Sequence, residues 1–481
     1  MKKIIFFLLV IMFSGSLSAQ LAHDALDAAY DAYRESSITH RRFKHKDIEE
    51  LVKVLPQDLF EVENLGNSVE GRSINMVTYG AGDTHVLLWS QMHGNEPTAT
   101  MAIMDIFRFL QTDDDFNDFR DKLRSSLTLH FIPMLNPDGA DRFVRRNALD
   151  IDLNRDALRL QSPEAKILKS IRDRLDPTWG FNLHDQNRYS TAGADDHTAS
   201  ISFLAPAFNK AKDWSDGRTD AMQLIVSMKK IIENYLGKKI GRYSDTFEPR
   251  AFGDNIQKWG TNTILIETGG LKDDPEKQFL RKVNFVALLS AFQAIMTKSY
   301  EQHTLKEYNA IPFNGSYYHD LIIREVTIPK YGNEYIFDLA IRRSEINAEG
   351  VNGFYDQAYI ADMGDLHNYY AYDDISLSGQ KMTDGGVYGV TLDSIQQIPS
   401  SELLQLVKDG YIIFFCKNAE RYRTIPLPLD IRSPGTLLDN RVEMNTNPTK
   451  IITDGGKVNY ILCNGYIYDL EKVRQLIEDL Y

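Results

Sequence analysis

Along the first 305 residues, short apolar runs alternate with longer segments of helical spacing. Residues 84–89 and 127–135 read as strands buried on both faces, too short and too rich in β-branched residues for helices. Residues 180–183 and 263–266 read as two shorter strands of the same kind, and the alternating stretch 73–79 as an edge strand. Between them lie helical patterns. Residues 98–110 place Met101, Ile103, Met104, Ile106 and Phe107 inward, and Pro97 stands where a helix takes its first residue. Ser162-Pro163-Glu164 opens another helix with a cap, a proline and an acid in the first turn. Residues 220–235 and 275–300 continue the series, and residues 22–60 are charged and helix-leaning. Strand–helix alternation of this kind predicts an α/β fold: a mostly parallel mixed sheet between helices.

The pattern changes after residue 305. Residues 302–319 are irregular, with Pro312, Asn314 and Gly315, and read as a linker. Strands then dominate, at 321–328, 335–341, 387–392, 411–417 and 458–468, with short helices at 401–409 and 470–480. The expected organisation is a catalytic domain over residues 20–305 and a smaller β-rich accessory domain over 320–481. Thr383-Asp384-Gly385-Gly386 recurs as Thr453-Asp454-Gly455-Gly456, which we read as coincidence rather than as a repeat. The accessory region carries no His, Asp or Glu clustered at ligand spacing. Tyr369, Tyr370 and Tyr372 are read as sheet residues ahead of a stacking platform for a glycan.

Chemistry gathers where the predicted strands of the first region stop. The strand at 84–89 is followed by His93-Gly94-Asn95-Glu96-Pro97, the strand at 127–135 by Asn136-Pro137-Asp138-Gly139, the third by His184-Asp185 and the last by Glu267-Thr268-Gly269-Gly270. In open α/β sheets ligands bind beyond the carboxyl ends of the strands, so these stretches converge on one crevice. His93, Glu96 and His184 would then form a two-imidazole, one-carboxylate set suited to one Zn²⁺ ion, with a position left open for water. Glu267, ending a buried strand, is the candidate general base for that water. Between the second and third strands, Arg145-Arg146-Asn147 and Asp152-Leu153-Asn154-Arg155-Asp156 are densely charged. An arginine there could face a carboxylate or a developing oxyanion, and Asp152 could accept the second ring N–H of His93.

Composition narrows the setting. Residues 1–19 combine Lys2 and Lys3, an apolar run from Ile4 to Phe13 and a small, polar end, the pattern of a secretory leader too short to span a bilayer. Cleavage is expected after Ala19, or after Ser18 because Leu17 sits awkwardly three places back. No later stretch reads as a membrane helix, so a periplasmic or extracellular protein without an integral membrane segment is expected. Losing the leader takes the formal charge from −13 to −15, which argues against nucleic acid or anionic lipid as a partner. The two cysteines, Cys416 and Cys463, either pair after export or stay as buried thiols.

The ordered set of motifs across residues 85–270 resembles the zinc metallocarboxypeptidases of the carboxypeptidase A-like family, and exported bacterial members more than digestive ones. The resemblance implies Zn²⁺ on His93, Glu96 and His184, and Glu267 as the base that activates water and protonates the leaving amine. It further implies oxyanion stabilisation by Arg145, a terminal-carboxylate clamp of Asn154 and Arg155, and Asp152 as the carboxylate behind a ligand. The family's substrate-closing tyrosine has no clear counterpart; Tyr243 is roughly placed, with Phe247 and Phe252 nearby. Residues 20–60 look too short for the family's usual folded pro-domain. The function this implies is removal of C-terminal residues from peptides or muropeptides. The alternative is an amide hydrolase of the succinylglutamate desuccinylase or aspartoacylase type, acting on N-acyl amino acids, which shares the His-Gly-Asn-Glu and Asp-Leu-Asn-Arg stretches. The sequence leaves side-chain preference and oligomeric state open.

Overall fold

The computed structural model describes residues 23–348 and 353–481. The expected leader, residues 1–19, lies outside the described residues.

The first region is a mixed α/β layer. Its strands are β1 (Phe60–Asn67), β2 (Ser73–Tyr79), β3 (Thr84–Trp89), β4 (Leu127–Ile132), β5 (Trp179–Asp185), β6 (Ile201–Leu204), β7 (Ile240–Arg242) and β8 (Asn262–Thr268). They form one sheet in the order β1-β2-β4-β3-β5-β8-β6-β7. The centre, β4-β3-β5-β8, is parallel throughout; β1, β2 and β6 join antiparallel. β3 and β4 read as apolar runs because both faces are covered: Val86, Leu88 and Phe131 face one helical layer, Leu87, Trp89 and Ile132 the other. The main helices are α1 (His23–Tyr33), α2 (Thr98–Gln111), α3 (Pro163–Leu175), α4 (Asp216–Leu236) and α5 (Gln278–Thr297). Ser162 caps α3, its side chain accepting from Ala165 N at 3.3 Å. By length and hydropathy α5 alone among the described residues could cross a bilayer, contrary to the sequence reading. It is instead a core helix, packed on α2 and α4 and 78% buried over its most apolar window.

Several elements differ from expectation. The stretch 73–79 is not an edge: β1 lies outside it, with residues Phe60–Asn67 too charged to stand out as a strand. The 302–319 stretch is not a free linker. It holds a capped helical turn, Leu305–Asn309, and Asn314–Gly315 pairs antiparallel with Thr191–Ala192.

The second region is built on long strands: β9 (Tyr318–Lys330), β10 (Asn333–Asn347), β11 (Phe354–Gly364), β12 (Tyr370–Ser376), β13 (Lys381–Asp384), β14 (Lys450–Asp454), β15 (Lys457–Cys463) and β16 (Tyr466–Asp469). They run in the order β11-β10-β9-β13-β14-β15-β16, with β12 also on β9. The expected strand 387–392 shrinks to Gly386–Val387, and 458–468 is a hairpin turning at Asn464 and Gly465. The two Thr-Asp-Gly-Gly stretches differ in structure. Gly455 and Gly456 have positive φ and turn a hairpin, whereas Gly385 and Gly386 pass without one into a separate small sheet. Tyr369, Tyr370 and Tyr372 pack against Tyr317, Tyr318 and one another's strands rather than forming an exposed platform. Cys416 and Cys463 are buried free thiols.

Candidate metal and active site

The stretch after β3 makes a tight excursion. Gln91 takes a positive φ of 44°, and Gly94 passes so close to the 137–142 helix that a Cβ on it would meet Gly139 C at 2.0 Å. Asn136 fastens this excursion to the end of β4. Its backbone N–H donates to Gln91 O at 3.0 Å, its side chain donates to Met92 O at 3.2 Å, and its Oδ1 accepts from Gly139 N at 3.0 Å. The Asn-Pro-Asp-Gly turn therefore shapes the loop that carries His93 and does not itself enter the crevice.

His93, Glu96 and His184 come together, all three buried. His93 Nδ1 lies 2.8 Å from Glu96 Oε1, His184 Nδ1 2.6 Å from Glu96 Oε2, and the two Nδ1 atoms 3.1 Å apart. Their ligand atoms all fall within 4.8 Å of one another. Burial disfavours a charged Glu96, yet the two imidazoles hold its carboxyl well below the usual carboxylate range. Burial likewise opposes a protonated His93, and Glu96 and Asp152 outweigh it to raise the imidazole. Two nitrogens and a carboxylate facing inward, in a pocket whose field favours positive charge, fit a divalent cation with N/O preference such as Zn²⁺. Behind the set, His93 Nε2 lies 3.1 Å from Asp152 Oδ1, as expected for a carboxylate that orients a ligand. His184 has no counterpart to this: its Nε2 is buried without a protein partner.

Asp152 organises the charged segment. It accepts from Asn154 N at 2.9 Å and from Arg145 Nε at 3.1 Å. Arg145 Nη1 reaches Glu96 Oε1 at 3.3 Å and His93 Nδ1 at 3.1 Å, while the guanidinium keeps 43% of its side chain exposed to the crevice. Asn154 Oδ1 accepts from Phe252 N at 2.8 Å, which fixes the amide. Arg155 beside it is partly exposed and stands 3.6 Å from Glu248. Glu267 is next to His184 across the β5–β8 pairing. Burial raises its carboxyl well above the ordinary range; Glu96 and Asp185 add to this, and His184 and Arg145 oppose it.

The eight residues singled out from the sequence thus gather in one neighbourhood: His93, Glu96, His184, Asp152 and Arg145 are linked by direct contacts, Asn154 bonds Asp152, Arg155 follows it, and Glu267 pairs beside His184. Tyr243, left without a role, belongs to the same neighbourhood. It follows β7, is 38% exposed, and its phenol is pushed up to about 12 by burial and then by Glu267 and Glu96. The irregular stretch 243–251 gave no periodic signal to place it. Asp185 was missed as well. It accepts from Thr98 Oγ1 at 2.7 Å and from Lys277 Nζ at 3.0 Å, and its N–H donates to Glu96 Oε2 at 3.2 Å, so it anchors the crevice floor.

Residues 47–230 match the zinc carboxypeptidase family. An uncharacterized protein of Zymomonas mobilis is 31% identical over 118 residues, 24% of this chain and 30% of that protein. Carboxypeptidase SOL1 of Arabidopsis thaliana is 26% identical over 160 residues, 27% of this chain and 32% of that protein. The chain thus spans about a third of the length of the curated relatives it matches. Among solved structures, a metallo-carboxypeptidase from Burkholderia cenocepacia aligns with a TM-score of 0.44 at 18% identity, over 53% of this chain and 69% of that one. The carboxypeptidase A of Helicoverpa armigera aligns with a TM-score of 0.42 at 16% identity, over 58% and 80%.

Proposed function

We propose that this chain, which carries a zinc carboxypeptidase domain over residues 47–230, is an exported enzyme that releases C-terminal residues from peptides, cell-wall peptides included. We assign residues 20–305 to catalysis and residues 320–481 to an accessory domain. The carrying observation is the convergence of His93, Glu96 and His184 beside Arg145, with Glu267 on the neighbouring strand.

His93, Glu96 and His184 would hold a zinc ion, which would supply Lewis-acid polarisation of the scissile carbonyl and lower the pKa of a water. The rest is done by side chains of this chain. Glu267, whose burial raises its proton affinity, takes the water's proton and hands it to the departing amine. Arg145, held on its far side by Asp152, offers its exposed N–H groups to the oxyanion. The NH₂ of Asn154 and the Arg155 guanidinium receive the substrate's terminal carboxylate, a planar acceptor that suits a guanidinium fork.

The test is hydrolysis by the purified, zinc-loaded protein of blocked dipeptides and muropeptides, set against N-succinyl and N-acetyl amino acids. Release of a free C-terminal amino acid, abolished by chelator and by Glu267→Gln, is expected. Turnover of the acyl amino acids alone would overturn the reading. Export is checked by N-terminal sequencing of the secreted form, which should begin at Gln20 or Ala19.

A further inference from the structure

The β-rich region forms a wall of the crevice. A cleft of ≈ 1170 Å³ begins at Glu96 and Arg145 and has as its floor the segments that follow His184 and Glu267. Its far side is made by Phe354, Tyr355, Arg423 and Tyr466 of the second region. A second hollow of ≈ 430 Å³ shares Tyr355, Asp356, Arg423 and Tyr466 with the first and continues between β11, β15 and the 419–436 segment. The combined groove exceeds the ~300–1,000 Å³ clefts that hold one small molecule. Asn154, Arg155 and Glu267 line neither hollow. The groove runs from Glu96 and Arg145 to the β-rich region, and the residues of the carboxylate clamp are not part of its lining.

Given the carboxypeptidase reading, on which this rests, a peptide with its carboxylate at Asn154 and Arg155, and its scissile carbonyl at Arg145, has this groove open to its N-terminal part. We propose that the β-rich region supplies the subsites for residues on the N-terminal side of the scissile bond, making an extended polypeptide, rather than a dipeptide, the preferred substrate class. Arg423 and Tyr355 mark the junction of the two hollows. The guanidinium stacks 4.3 Å from the Tyr355 ring centroid, pairs with Glu420 at 2.9 Å and keeps 50% of its side chain exposed. A ring face topped by an accessible cation gives a passing peptide both apolar contact and a partner for its carbonyls.

The experiment uses the full-length, zinc-loaded Glu267→Gln protein, so that binding is read without turnover. Labelled peptides sharing one C-terminal pair, a dipeptide and a hexapeptide, are titrated by fluorescence anisotropy. The same pair is offered to the active enzyme for kcat/KM. Lengthening is expected to lower Kd by roughly tenfold or more, and Arg423→Ala and Tyr355→Ala are each expected to erase most of that ratio, with Arg423→Lys and Tyr355→Phe restoring part of it. A Kd ratio near one, or a ratio that survives in both alanine variants, would overturn the proposal. If the ratio behaves as expected but no peptide is hydrolysed, the groove stands and the carboxypeptidase reading falls. If both peptides are hydrolysed with equal kcat/KM and bound equally, the reading stands and the groove assignment falls.

Discussion

Glu267 and Arg145 carry the sharpest expectations at the scale of single residues. Glu267→Gln keeps the shape of the β8 end and removes the proton acceptor, so kcat should fall by ~10²–10⁴ while bound zinc, measured by metal analysis, stays stoichiometric. Equal zinc with undiminished kcat would exclude Glu267 as the base. Arg145→Ala should lower kcat by ~10²–10³ with a smaller change in KM, because the role proposed for its exposed guanidinium is to meet the oxyanion rather than the ground-state substrate. A change confined to KM would instead make Arg145 a binding group. These residues were legible in the sequence for a physical reason: each stands just past a buried strand or in a dense charged segment, and parallel strands all deliver their ends to one edge of the sheet. Tyr243 and Asp185 were not legible. One follows a three-residue strand, and the other gains its importance from Thr98 and Lys277, which are distant in sequence.

Elements show where local signal and tertiary context part. β3, β4, β5 and β8 were readable because burial on both faces makes them continuous apolar runs. β1, β6 and β7 were not: two are very short, and β1 exposes charged residues on a sheet margin. β3 and β4 also carry a histidine pair, His85 and His130, across the sheet. His130 Nδ1 lies 3.0 Å from Thr78 Oγ1, and its Nε2 lies 2.9 Å from His85 Nδ1, with the rings stacked at 5.2 Å. Burial, then His85 and Arg174, push His130 down to about 4, against a smaller upward pull from Glu63. The unfolded chain therefore binds more protons than the folded one between pH ~6.5 and that value, and stability is lost as pH falls through this window. Urea midpoints should drop between pH 6.5 and 4 by the equivalent of about 2–3 kcal/mol, and His130→Gln should flatten that slope. An unchanged slope in the variant would remove His130 as its source.

Over the whole molecule, the join between the two regions is polar and specific. Asp320, 1% exposed, accepts from Tyr189 Oη at 2.5 Å and from Arg343 N at 2.6 Å, and pairs with Arg188 at 2.9 Å. Arg42 adds a bond to Glu345 at 2.7 Å, and Tyr372 Oη donates to Arg188 O at 2.7 Å. Asp320→Ala leaves Arg188 without its carboxylate and should destabilise the protein by about 3–5 kcal/mol, read as a lowered urea midpoint. A shift under 1 kcal/mol would mean the join is incidental. None of this was visible beforehand, because Asp320 and Arg188 are separated by more than a hundred residues and neither sits in a motif. The coarse division into an α/β part and a β-rich part was legible from the change in period near residue 320; that the parts share a cleft was not.

The same join bears on how such a protein can be taken apart and reused. Arg188 and Tyr189 belong to the segment that leaves β5 directly after His184, and Asn314–Gly315 closes a ladder with Thr191–Ala192. The boundary between the regions is therefore a stitched seam and not a hinge. A β-rich half borrowed from another protein would fit only if the 186–193 loop travelled with it, and an α/β half cut free near residue 305 would lose the partners that steady the loop behind His184. Inheritance, like engineering, has to exchange these pieces together: the unit that can be swapped is the region plus the loop that receives it.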